Sequence, residues 1–318
     1  MTAIEAPSWE DDVNKIPVFG TVSHAYGFLI GDLITIIRLV WAPLLAAAAF
    51  QFYFAGDLLD AAVKTLQSDD PTRMMEHMPT QFLLGVVGFV AGIIALVALL
   101  RVVISGDRKP GLFIYLWFGS AEIRLVAVTV LLIVAACAAF IAFAIVLGLL
   151  AAIASQVPVL GIIIVLAVFV LVFVVLWATF RLSLISPVIV AEGGLGVERS
   201  WQLMHGNALR MFFILLLSFI PFGIVASIAF FAILGADLPH FPDFMALIKP
   251  AGSDAQSAAA MQQNLRDAMM HWQAGLIEAY RKHWFEINAF GFVNSVVSTA
   301  LTAGVVGSAY VSATGKRG

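Results

Sequence analysis

The sequence predicts an all-α, polytopic membrane protein: six transmembrane helices in three helix-pair repeats, with interfacial amphipathic helices beside them. Three observations lead there. Hydrophobic residues make up 62% of the 318-residue chain and charged residues only 12%, where a water-soluble domain carries roughly 45–50% and 25%. Six apolar stretches approach the roughly 20 residues needed to cross a hydrocarbon core. Arg38, Arg124 and Arg210 stand 86 residues apart, each just ahead of an outgoing stretch.

The opening "MTAIEAPSWEDDVNKIPVFG" is acidic and has no apolar core, so a short soluble tail is expected rather than a cleaved signal. The spans are expected near 39–56, 82–104, 125–150, 159–180, 211–235 and 289–312. The third exceeds the hydrocarbon thickness and must tilt or protrude. Pro43 and Pro221 fall within the first and fifth, which membrane helices tolerate because neighbours re-satisfy the freed carbonyls. The first outer loop is "DLLDAAVKTLQSDDPTRMMEHMPTQ" and the second only a hairpin, "ASQVP". The outer segment 236–288 begins with Pro and Gly. It then places Met261, Leu265, Ala268, Trp272, Leu276 and His283 at helical spacing, predicting an amphipathic helix that runs on into the last span. Eleven of the 17 Lys and Arg residues fall on the side that holds both termini, which puts both termini in the cytoplasm.

Residues 1–318 read as a single membrane domain, with approximate repeats over 20–104, 106–190 and 192–312. Each repeat is an interfacial helix, a span out and a span back. Mixed-polarity stretches precede the three arginines: "HAYGFLIGD", "LFIYLWFGS" and "SWQLMHGN". In the third, Val197, Trp201, Met204 and Ala208 share one face of a continuous helix, while Glu198, Gln202 and His205 share another. Tryptophan at headgroup depth and a snorkelling arginine are what an interfacial helix needs. Arg38, Arg124, Arg210, Trp201, Arg199 and Glu192 are therefore the candidate interfacial anchors or lipid-headgroup contacts. A catalytic cluster here is the weaker reading, since charge at the interface is cheap and common.

Composition and motifs narrow the chemistry. The net charge of −3 argues against a nucleic-acid partner. Cys137 is the single cysteine, which excludes an intramolecular disulfide and a cysteine zinc site. No phosphate-cradling glycine loop, nucleophile elbow or H-E-x-x-H spacing occurs. The best metal-like fragment, His283 and Glu286 in "HWFE", competes with ordinary Glu278–Lys282 and Lys282–Glu286 pairs on a wet helix face. No catalytic residue, metal or cofactor is expected, and the chain reads as no enzyme. For transport, the span centres carry no ionisable residue. The last span holds Asn294, Ser298 and Thr302, which read as polar packing or, alternatively, as a polar pathway. The spacing of Ala300, Gly304 and Ser308 by four lets helix backbones approach closely.

Residues 181–217, "RLSLISPVIVAEGGLGVERSWQLMHGNALRMFFILLL", resemble the membrane domain attached to some glycerophosphodiester phosphodiesterases and its stand-alone bacterial relatives. The resemblance rests on Pro187, Glu192, Gly193, Arg199, Ser200, Gly206 and Arg210. It implies a multi-pass protein of the bacterial inner membrane with a role in envelope or lipid homeostasis. It does not imply phosphodiesterase activity, which belongs to a separate soluble barrel domain in that family. The expected function is a non-catalytic membrane factor whose partners are membrane lipids, protein subunits or further copies of itself. The alternative is a channel or transporter for a neutral or lipid-like solute.

Overall fold

Long apolar runs leave a chain in lipid one way to pair its backbone within each segment, the α-helix. The computed structural model describes residues 14–67, 75–106, 118–154, 159–242 and 255–315, and the described residues contain helices and no strand. In chain order the helices are α1 (Val18–Gly31), α2 (Leu33–Gln67), α3 (Met78–Ser105), α4 (Ser120–Ala154) and α5 (Val159–Arg181). They continue with α6 (Ile185–Glu192), α7 (Val197–Leu203), α8 (Ala208–Leu234), α9 (Ala255–Lys282) and α10 (Trp284–Thr314). A 3-10 turn, Gly235–Asp237, follows α8.

Six helical stretches are long and apolar enough to cross a bilayer: Leu33–Ala61, Met78–Ser105, Ser120–Ala152, Gly161–Glu192, Ala208–Leu234 and Trp284–Thr314. The protein is therefore a multi-pass integral membrane protein. Each stretch outlasts its hydrocarbon core, because mixed-polarity flanks such as "LITIIR" and "SAEIR" continue the helix. At 1.5 Å per residue α4 is about 52 Å long, well beyond the roughly 30 Å core.

The chain falls into two compact units. The first comprises Met1–Pro43, Val90–Pro221 and Val296–Gly318, and the second Leu44–Phe89 and Phe222–Ser295. In the first, α10 supplies a core of Ala300, Leu301, Ala303, Val305, Val306 and Ala309. Lipid offers helices no hydrophobic drive to associate, so close packing must hold them. A Cβ at Gly304 would stand 3.0 Å from Ala25 Cα in α1, and one at Gly307 only 2.6 Å from Val103 Cγ1 in α3. Tyr26 of α1 donates a 2.7 Å hydrogen bond to the Ser218 carbonyl, in the turn of α8 that Pro221 loosens. In the second unit, Leu234, Ala279 and Ile287 form a buried cluster with Phe230, Ile233, Leu238 and Tyr280 packed on it. Pro239 seats against Gly275, where a Cβ would lie 2.9 Å away, and Phe241 meets Trp272 edge-on at 5.2 Å.

Two expectations need correction. The helix before Arg210 is not continuous: α7 stops at Leu203, and a turn over Met204–Asn207 intervenes, so Met204, His205 and Ala208 leave the register of Trp201. The cause is Gly206, whose φ of 73° belongs to the left-handed region. The long outer helix and the last span are also distinct helices, broken at His283. Several expected features lie outside the described residues. They are most of the acidic tail, "LFIYLW" before Arg124, the "SQVP" hairpin, residues 243–254, and Arg73, Arg108, Lys109, Lys249, Lys316 and Arg317.

Candidate functional site

The polar residues singled out in the sequence gather around the segment that links α5 to α8. Gly193 (φ 76°) closes α6 in the left-handed conformation, its N–H bonded to the Ile189 carbonyl. Gly196 (φ 75°) begins α7, and a Cβ there would meet the Ile185 oxygen and Ile189 Cγ1 at 3.0 Å. A side chain is excluded at Gly196 by conformation and by space together. Ser200, fully buried, then staples α7 back onto α5: its hydroxyl donates to the Arg181 carbonyl (3.0 Å) and accepts the Leu184 N–H (3.2 Å).

Arginines hold this segment from several sides. Arg124, at the start of α4, donates to the Gly193 carbonyl. Arg210 donates to the Ile16 carbonyl at 3.0 Å. Beside it the buried Asn207 accepts the Ile16 N–H (3.1 Å) and donates to the carbonyls of Asn14 and Leu203, both at 3.2 Å. Residues 14–16 are thereby clasped along the start of α8. Arg199 pairs through Nε with Glu192 at 3.5 Å, and the same carboxylate accepts the Tyr310 hydroxyl at 2.9 Å. Trp201 is 39% exposed. Arg38 is exposed in the second turn of α2.

Sequence reasoning missed three participants. Arg181 packs against two indoles, 5.0 Å from the ring centre of Trp177 and 5.1 Å from that of Trp201, and donates through Nη1 to the Trp201 carbonyl at 3.1 Å. The rings meet edge-on. Such contacts are worth about 0.5–2 kcal/mol each. "WATFR" carried the signal for Trp177, a tryptophan one turn before an arginine. Nothing local announced Trp201 as the second indole. Glu122 is fully buried, accepts the Gly119 N–H at 3.0 Å and pairs with Arg101 at 3.0 Å. Its position three residues beyond the helix cap was the legible half of a capping box.

The candidate polar residues of the last span turn inward on their own helix in part: the Thr302 hydroxyl donates to the Ser298 carbonyl at 2.7 Å. Asn294 is half-buried. The metal-like fragment has a partner that the spacing did not suggest. His283 Nε2 lies 2.8 Å from Asp237, whose other oxygen accepts from Lys282 at 2.7 Å, and Arg281 pairs with Asp60. Lys282 and His283 together hold the Asp237 carboxyl below its usual pKa. Comparison of the chain with models of known protein families, with curated proteins and with solved structures finds no match in any of the three.

Proposed function

We propose that this multi-pass protein is a non-catalytic factor of the bacterial inner membrane, with both termini cytoplasmic, that works through lipid and protein contacts. One observation carries the reading. In the third and fourth spans, the most apolar of the six, none of the central residues is buried by the rest of the chain. Ile133, Phe140, Ile145, Phe169 and Phe173 are each more than half exposed. A helix apolar all round is made for contact with lipid or with another membrane helix. The polar end of the same helix pair carries the arginine and tryptophan pattern suited to headgroup depth. The interfacial anchors read from the sequence, Arg38, Arg124, Arg210 and Trp201 with the Arg199–Glu192 pair, fit that role. So do interfacial amphipathic helices, and the resemblance to the phosphodiesterase-associated membrane domain agrees with it.

Three helix-pair repeats fit the arginine contacts. Arg124 of the second holds the start of the third at Gly193, and Arg210 of the third holds Ile16, just ahead of the first. A second reading, a carrier of a neutral or lipid-like solute, draws on an open cleft of about 430 Å³ in the second unit, lined by Gln51, Leu58, Leu84, Tyr280 and Trp284 among others. Native mass spectrometry of the full chain extracted with its own lipids separates the two. A specific lipid or subunit retained in fixed ratio supports the contact role. A bare monomer that moves solute across vesicles would replace it.

A further inference from the structure

Arg181 is held in an unusual way for a structural arginine. Two indoles pack against it, one Nη1 proton goes to a neutral carbonyl, and no carboxylate among the described residues pairs with it. Its Nε is buried without a hydrogen-bond partner, and Nη2 bonds to no described residue. A guanidinium has five donors in a rigid fork that matches carboxylate and phosphate oxygens. Here the side-chain entropy is already lost to the tryptophan contacts, while most of the donors and the whole charge remain unspent.

Trp201, one of those two indoles, also lines an open cleft of about 930 Å³ formed by the 195–202 stretch, with Glu198, Arg199 and Gln202 as its other polar members. Arg199 is shared with Glu192, and the Glu198 carboxylate accepts from Gln202 at 3.4 Å. With the Arg199–Glu192 pair set aside, Arg181 is the cation that no described carboxylate pairs with, and Glu198, bonded only to the neutral Gln202, keeps an opposing negative charge. We propose that Arg181, packed against Trp177 and Trp201, binds an anionic phosphate group, with Arg199 as a second donor and Glu198 as a charge that limits affinity. The proposal rests on the lipid-contact reading above and names the headgroup chemistry. Packing against the two rings and the bond to the Trp201 carbonyl hold the side chain in place, and charge-assisted hydrogen bonds to phosphate supply the strength.

The test titrates phosphatidylglycerol, phosphatidylcholine and, separately, inorganic phosphate into the full chain in detergent and counts bound species by native mass spectrometry. Phosphatidylglycerol is expected to bind more tightly than phosphatidylcholine. Arg181→Gln should weaken it about tenfold or more, the weight of one charge-assisted hydrogen bond. Arg181→Lys should fall between, keeping charge without the planar fork. Glu198→Gln should tighten binding about two- to fivefold, a gain that no loss of folding can imitate. It decides the matter even where Arg181→Gln is poorly folded by circular dichroism. Inorganic phosphate binding with the same Arg181 dependence would make the ligand a soluble phosphate and leave the site assigned. Anionic lipid bound equally by the parent, Arg181→Gln and Glu198→Gln would overturn the site and spare the lipid-contact reading. No lipid bound by any of them would overturn both.

Discussion

In the second unit, Arg281, Lys282 and His283 stand in succession at the break between α9 and α10, and each meets a carboxylate, Asp60 or Asp237. In the first unit, Arg124, Arg181 and Arg210 each meet a main-chain carbonyl instead. A carboxylate cancels the charge it binds; a carbonyl orients the side chain and leaves the charge in place. The first arrangement is a latch that neutralises itself. The second keeps positive potential at one end of an apolar helix pair, where anionic headgroups sit and each basic residue is worth about 1 kcal/mol. Arg101 and Arg199 sharpen the contrast, because within the same first unit they do have carboxylates, the buried Glu122 and the partly exposed Glu192.

The largest effect should come from the buried one of these pairs, Arg101 with Glu122. Glu122→Ala strips the partner from Arg101. Breaking a buried pair costs about 3–5 kcal/mol, and because Arg101 is about a quarter exposed, roughly 2–3 kcal/mol is expected here in thermal unfolding in detergent. Gly196→Ala comes next, at about 2 kcal/mol, from the left-handed backbone and the close Ile185 oxygen together. Gly206→Ala has the same backbone penalty and open space around its Cβ, so about 1 kcal/mol separates the two. Ser200→Ala leaves the Leu184 N–H buried without its hydroxyl, about 1–2 kcal/mol. It should also loosen the edge-on Trp177–Trp201 pair, which tryptophan fluorescence would report as a red shift.

Asp237→Asn should have the smallest effect of the set, present at neutral pH and vanishing in acid, where the parent loses the same contribution. The folded carboxyl sits below its ordinary value of 3.8, through hydrogen bonds from Lys282 first and His283 second. A depressed carboxylate pKa adds stability above the unfolded value, lost as pH falls through the lower folded one. The latch is therefore intact above about pH 3.8 and fails below it, and the Asn variant should flatten that acid limb. An unchanged acid limb in Asp237→Asn would remove the latch from the account.

Much of the helical layout was legible before any coordinates. Hydrocarbon thickness dictates span length, and composition alone separates lipid from water as solvent. Gly304 was legible too, since small residues spaced by four on an apolar helix have few other uses. The break before Arg210 was not, because helical periodicity carried Val197, Trp201, Met204 and Ala208 smoothly through it. One glycine at positive φ was enough to end that face. Partners far apart in sequence were equally hidden: Ile16 for Arg210, Gly193 for Arg124, Asp237 for His283. Spacing arguments see neighbours within two turns, and each of these contacts spans at least 46 residues.

The contrast between the two sets of basic residues is most directly tested by thermal unfolding of the full chain in nanodiscs of phosphatidylcholine, with and without phosphatidylglycerol. Anionic lipid should raise the Tm of the parent protein. The increment should shrink in Arg181→Gln and stay at the parent value in Lys282→Gln, whose charge Asp237 already cancels. Equal increments in the two variants would contradict the account, because charge held by carbonyls would then be no more available to lipid than charge held by carboxylates.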